Sequence, residues 1–335
     1  MNRNLLNNKK SNKRQPFYDK LDNIFVISRE TKAESGEDSF LCGVRSDSAI
    51  AAVFDGCGGL GSRRYPGFSD KTGAYIASRI ASGAVYDWFN DYGNSRWESS
   101  GQILESMNRY LREAFDQTHP YSENALKLRG SMVRDFPSTA AIAYVTDTER
   151  GIRLHIIWAG DSRVYILDKQ GLAQVTLDDV DDKDALSNLY TDGAKTNILS
   201  SDGRFILHYR SFVIEEPLMI MAATDGIFGY LLSPMHLENA FLDALLRSAS
   251  MEEFRIELNS LFRSKAGDDY ALAFMACHFG SFKDMQDYYR EYYRDFRQKY
   301  MVSLEENPDR SHIEEIWKTG YKGNYERLYG NGITT

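Results

Sequence analysis

Ala49-Ile50-Ala51-Ala52-Val53-Phe54-Asp55-Gly56, AIAAVFDG, is the stretch on which the fold turns. Its apolar run is too short for a helix and is closed by an acid and a glycine, so it reads as a strand that delivers Asp55 to its carboxyl end. Similar runs lie on either side. FLCGV follows Asp38, AIAYV starts at Ala141, LHIIWA precedes Gly160, VYIL follows Arg163, MIMAAT precedes Asp225 and YALAFMA follows Asp269. Between them the period changes to that of helices. Ile76, Ile80, Ala84, Val85, Trp88 and Phe89 share one face, as do Ile103, Leu104, Met107, Leu111, Ala114 and Phe115. After Ser233-Pro234 come Leu237, Phe241, Leu245 and Leu246, then Phe254, Leu258, Leu261 and Phe262, with Ser233 and Ser250 as candidate caps. Strands come in groups and helices in pairs, which favours an α+β architecture with a largely antiparallel sheet over strict strand–helix alternation.

The composition agrees with a folded chain. Of 335 residues 42% are hydrophobic and 13% aromatic, enough apolar area to offset the entropy of ordering. Lys and Arg number 40 against 48 Asp and Glu, a net charge of −8, so no broad basic face is offered to nucleic acid. Cys42, Cys57 and Cys277 form no Cys-x-x-Cys pair, which disfavours a disulfide framework or a thiolate zinc site and points to a reducing compartment. With no apolar run long enough for a signal peptide or a bilayer span, a soluble, cytoplasmic protein without membrane contact is expected. Three regions are expected: a basic flexible tail over 1–20, a main domain over 21–281, and a helical extension over 282–335. The extension carries the stripe Met285, Tyr288, Tyr289, Tyr292, Tyr293, Phe296 and Tyr300, which reads as a face packed on the main domain or as a docking surface.

The acids cluster at strand ends. Glu37, Asp38, Asp268 and Asp269 stand before strands, whereas Asp55, Asp161 and Asp225 follow them. In an antiparallel sheet the start of one strand lies beside the end of its neighbour, so these carboxylates can gather along one edge. Together they would repel unless cations lay between them. An all-oxygen donor set selects magnesium or manganese over zinc, and two such ions suit phosphate ester hydrolysis.

Asp55-Gly56-Cys57-Gly58-Gly59-Leu60-Gly61-Ser62-Arg63-Arg64 admits three readings. Gly56, Gly58 and Gly61 fit a dinucleotide fingerprint, but Pro66 and Gly67 delay the helix that should follow at once. Cys57 and Arg63 fit the Cys-x5-Arg loop of cysteine-dependent phosphatases, without the His that usually precedes the cysteine. The third reading involves the whole chain. In order, GEDSF (Glu37, Asp38), DGCGG (Asp55, Gly56), PSTAAIAYV, AGDSRVYIL (Asp161, Arg163), ATDGIFGYL (Asp225) and GDDYALAFMAC (Asp268) resemble the motifs of the metal-dependent Ser/Thr protein phosphatases, the protein phosphatase 2C family, in its bacterial form.

That resemblance implies a four-layer α-β-β-α sandwich with two Mn2+ or Mg2+ ions at one end. Asp55 would bridge both ions, the Gly56 carbonyl would bind one, and Asp38, Asp225 and Asp268 would add oxygens. Glu37 would orient water for attack on phosphoserine or phosphothreonine in proteins. A cognate Ser/Thr kinase is the expected partner, and nucleic acid and membrane are not. Three positions depart from the family pattern: Cys57 replaces a His, Gly229 replaces an acid of a third metal site, and Ala33 replaces a phosphate-binding Arg. Asp161 alone would hold a third ion weakly, and Lys32, Arg29, Arg63 or Arg64 would take over the phosphate contact. Leu177 to Ser211, with its acidic DDVDDKD, corresponds to the variable flap. Two alternatives stay open: a non-catalytic phosphoprotein-binding relative, and a cysteine phosphatase built on Cys57 and Arg63.

Overall fold

In AIAAVF, Ala49, Ala51 and Val53 face one apolar core while Ile50, Ala52 and Phe54 face another. A strand buried on both sides carries no polar face, which is why the run lacks alternation. The computed structural model describes residues 16–93, 99–118, 135–182, 184–191 and 193–329. Its strands are β1 (Leu21–Arg29), β2 (Ser39–Val44), β3 (Ser48–Phe54), β4 (Arg64–Tyr65), β5 (Lys71–Thr72), β6 (Ala140–Asp147), β7 (Ile152–Ala159), β8 (Arg163–Asp168), β9 (Gly171–Gln174), β10 (His208–Ile214), β11 (Leu218–Ala223) and β12 (Tyr270–Cys277). The longer helices are α1 (Gly73–Tyr92), α2 (Ser100–Asp116), α3 (Pro234–Arg247), α4 (Met251–Lys265) and α5 (Phe282–Phe296).

One sheet runs β1-β12-β11-β8-β9 and the other β10-β7-β6-β3-β2, with β4 and β5 as a separate small hairpin. Every strand pair is antiparallel. The sheets face each other through small residues, among them Ala51, Ala143, Ala222 and Ala273, joined by Val53, Val164 and Ile220. The outer face of the second sheet is covered by α1 and α2, and that of the first by α3, α4 and α5. This is the four-layer α-β-β-α sandwich expected from the sequence.

The helix ends follow ordinary capping chemistry. Ser250 caps α4 by accepting the Glu253 amide at 3.2 Å. Ser233 does not cap α3 with its side chain; its hydroxyl is engaged by His236 Nδ1 at 2.7 Å, and Pro234 opens the helix. Of the tail expected over 1–20, residues 1–15 lie outside the described residues. Packing begins before residue 21: Phe17 enters the inter-sheet core, and Lys20 Nζ donates to Asp147 Oδ1 at 2.6 Å, Thr148 O at 2.8 Å and Gly151 O at 3.1 Å.

The aromatic stripe packs on the sandwich. Met285, Tyr289 and Phe296 of α5 are buried in the same core as Phe241 and Leu245 of α3. Beyond α5 the chain winds on to grip the flap: Asp184 accepts from Trp317 Nε1 at 3.2 Å and Lys322 Nζ at 2.6 Å, and Arg310 lies 4.2 Å over the Tyr190 ring. At the centre of the seam Glu238 of α3, fully buried, accepts from Tyr292 Oη at 2.5 Å and from Tyr321 Oη.

Burial pushes the Glu238 carboxyl up to about 7, against the two tyrosine hydroxyls, which favour the charged form. Between pH 4.5 and 7 the native state therefore holds a proton that the unfolded chain has released, so stability is lost as pH rises through this window. The expected contribution is on the order of 3 kcal/mol. Urea unfolding from pH 4.5 to 8 should show a steeper decline in the wild type than in Glu238→Gln; parallel curves would refute the assignment.

Candidate metal centre

Register brings the acids together. Ser39 pairs with Phe54, so Asp38 and Asp55, the next residues outward on β2 and β3, flank the same end of the second sheet. On the first sheet Ala223 pairs with both Leu272 and Arg163. That pairing sets Asp225 just past the end of β11, beside Asp268 before β12 and Asp161 before β8. The two sheet edges meet in a cleft of about 890 Å3 lined by Glu37, Asp38, Asp55, Gly56, Asp225, Asp268 and Asp269. A second hollow of about 350 Å3 under the flap shares Gly193, Asp225 and Asp268 with it, so the two adjoin.

The side chains of Asp38, Glu37 and Asp269 are held by hydrogen bonds. Thr224 Oγ1 donates to Asp38 Oδ2 at 2.7 Å and accepts the Ala271 amide at 2.9 Å. Thr72 Oγ1 donates to Glu37 Oε1 at 2.5 Å. Asp269 ties down the loop before Asp38, accepting the amides of Thr31 at 2.5 Å and Glu37 at 2.8 Å. Its carboxylate is thereby used for positioning, while Asp268 is exposed to the cleft. Asp55 is anchored through its backbone, its carbonyl accepting from Thr139 N at 2.8 Å and Ser138 Oγ at 3.0 Å. At Gly56 a side chain is impossible: a Cβ there would lie 2.6 Å from Glu37 O and closer still to Ala74 O.

Crowding of like charge is visible in the protonation equilibria. Burial and then Asp55 push Asp38 well above the usual carboxylate range, with Thr224 opposing. Asp225 opens onto the cleft but lies deep in it, and desolvation followed by Asp55 pushes it up to about 8, against Lys195. Burial also raises Glu37, with Asp55, Asp269 and Asp268 adding to the effect. Hard divalent cations would relieve all three shifts, and a cleft whose acidic donors are all oxygens suits Mg2+ or Mn2+. Among the described residues no three His, Cys, Asp or Glu side chains are drawn together closely enough to hold an ion as they stand.

A cation already stands in the cleft. Lys195 Nζ lies 3.0 Å from Asp55 Oδ2 and 2.8 Å from Asp161 Oδ1. Burial alone would weaken the ammonium, but Asp55 and Asp161 outweigh it and hold its pKa well above the ordinary lysine value. Sequence reasoning missed this residue. TDGAKTN is a short polar flap segment, and nothing local signals that its lysine meets acids 140 and 34 positions away.

The other cations expected to serve the phosphate do not line the cleft. Arg63 stacks 5.1 Å over the Tyr65 ring and faces Asp135 at 3.8 Å. Arg64 donates to Asp70 O at 2.7 Å across the β4–β5 hairpin, and Lys32 is exposed. Cys57 is buried, and burial pushes its thiol well above the normal value, opposite to what a thiolate nucleophile needs. Its intended partner Arg63 is turned to Asp135, so the Cys-x5-Arg reading finds no support in the geometry.

Residues 28–263, well over half the chain, match the family model described as Protein phosphatase 2C, and the chain belongs to that family. Among solved structures it is similar to the serine/threonine phosphatase Stp1 from Staphylococcus aureus, at 14% identity and a TM-score of 0.54, covering 76% of this chain and 94% of that one. PppA of Pseudomonas aeruginosa, described as a key regulatory component of T6SS, is similar at 15% identity and 0.53, covering 76% and 97%. The Mycobacterium tuberculosis serine/threonine phosphatase PstP/Ppp is similar at 18% identity and 0.50, with the same coverage. At such identities the likeness is one of fold. No curated protein sequence matches the chain.

Proposed function

We propose that this chain hydrolyses phosphoserine and phosphothreonine esters in proteins at a centre of two Mn2+ or Mg2+ ions. The observation that carries the reading is the strand register that turns Asp38, Asp55, Asp225 and Asp268 toward one oxygen-lined cleft at the shared edge of two sheets. Those four carboxylates and the Gly56 carbonyl are the groups that would hold the ions. When bound, the ions supply Lewis acidity, lowering the pKa of water and drawing charge from the phosphate oxygens.

The chain's own residues set the stage. Glu37, its carboxylate fixed by Thr72, faces the cleft, which suits it to orient an attacking water. Thr224 aims Asp38, and Asp269 locks the loop that carries both Glu37 and Asp38. A phosphate dianion enters a cleft of carboxylates only against cations. Lys195 is the single Lys or Arg lining it among the described residues, whereas Lys32, Arg63 and Arg64 stand outside and would serve at most the substrate's flanks.

The catalytic unit is placed at 21–281, with 282–335 as an extension that braces it. Phosphorylated proteins are the proposed substrates and a Ser/Thr kinase the proposed counterpart, in the cytoplasm. No helix among the described residues is long and apolar enough to cross a membrane, and Cys42, Cys57 and Cys277 are free thiols. Phosphoserine-peptide turnover should require Mn2+ or Mg2+, disappear with a chelator and survive thiol alkylation. Alkylation-sensitive, chelator-resistant turnover would instead establish the cysteine mechanism. Peptide binding without turnover under any divalent ion would leave a non-catalytic phosphoprotein-binding role.

A further inference from the structure

We infer that Lys195 is a covalently tethered cation of the acidic cleft, occupying the place between Asp55 and Asp161 that a further divalent ion would otherwise fill, so that Asp161 serves the lysine and does not ligate metal. The inference rests on the binuclear reading above and concerns which of the cleft's carboxylates the ions take.

Geometry supports it twice over. The ammonium bridges two carboxylates, at 3.0 Å to Asp55 and 2.8 Å to Asp161, with its side chain only 12% exposed. A single positive charge between two carboxylate oxygens offsets part of their mutual repulsion without a free cation. The backbone that carries it is also built for the position. Lys195 pairs with Val180 in an isolated bridge, the Thr196 amide donates to Asp179 O at 2.7 Å, and Asn197 Nδ2 donates to Asp179 Oδ2 at 2.7 Å.

Asp179 in turn accepts the amide of Gly160, the residue before Asp161, at 3.0 Å. Lysine and carboxylate are thus mounted on one hydrogen-bonded frame, and the contact is not the accident of a loose side chain. Asp161 Oδ1 is buried and lacks any hydrogen bond of good angle beyond this ion pair, so removal of the ammonium leaves it with nothing. Gly229 contributes no side chain to take its place.

The consequence is a fixed positive charge that chelators cannot strip and that divalent concentration does not alter. Calorimetric titration of the full chain with Mn2+ tests it. Wild type should bind two ions, Lys195→Met a third at lower affinity, and the double variant Lys195→Met/Asp161→Asn two again. Asp161→Asn alone should keep the wild-type count, which also serves should Lys195→Met fail to fold. An unchanged count and affinity in Lys195→Met, or loss of an ion in Asp161→Asn, overturns this inference alone. Absence of Mn2+ binding in every form overturns it together with the binuclear reading.

Discussion

Asp55→Asn should lower metal-dependent phosphopeptide turnover by roughly 10^3-fold or more, the scale on which loss of a preorganised charge-stabilising group is felt. The carboxylate is the one that both sheets' acids surround, and it is proposed to touch both ions, so no neighbour can substitute for it. The fold should survive. Asp55 is fixed through its backbone to Ser138 and Thr139, and those bonds do not involve the carboxylate. Circular dichroism should therefore be unchanged while Mn2+ affinity drops. Retention of a tenth or more of wild-type turnover would remove Asp55 from the centre of the mechanism.

The second large effect is on stability. Arg163, 1% exposed, holds Asp178 through Nη2 at 2.6 Å and Nε at 3.1 Å, and Asp178 also accepts from Gln174 at 2.8 Å and Asn188 at 3.1 Å. Arg163→Met strands a buried carboxylate, an expected loss of about 3–5 kcal/mol. In a domain of this size that corresponds to a melting point lower by about 10 °C. The double variant Arg163→Met/Asp178→Leu should recover part of it, because both charges leave together. A loss below about 1 kcal/mol in urea unfolding would mean that water reaches the pair.

The reach of sequence reasoning varied with locality. Strand ends such as Phe54-Asp55 and Ala223-Thr224-Asp225 were readable because apolar run and acid are adjacent in the chain, and antiparallel pairing then dictates which ends meet. β10 was not readable: HYRSFVI carries His208, Arg210 and Ser211 in a strand, and Arg210 is buried because it donates to Leu328 and Tyr329 carbonyls far down the chain. Lys195 escaped for the same reason, since its meaning lies in Asp55 and Asp161. Before β12, placement at the strand end does not separate Asp268 from Asp269, and only the family resemblance singled out Asp268. The difference between them is set by the amides of Thr31 and Glu37, more than 200 residues earlier.

The pairing of β1 with β12, Leu21 opposite Cys277 through Arg29 opposite Tyr270, also bears on how the molecule comes into being. Among the described residues β12 is the only ladder partner of β1 and lies about 250 residues further along, so this sheet cannot close until β12 has been made. The β2–β3 and β6–β7 hairpins can form early, whereas Leu21–Arg29 must wait in the open, a window in which nascent chains attract chaperones or one another.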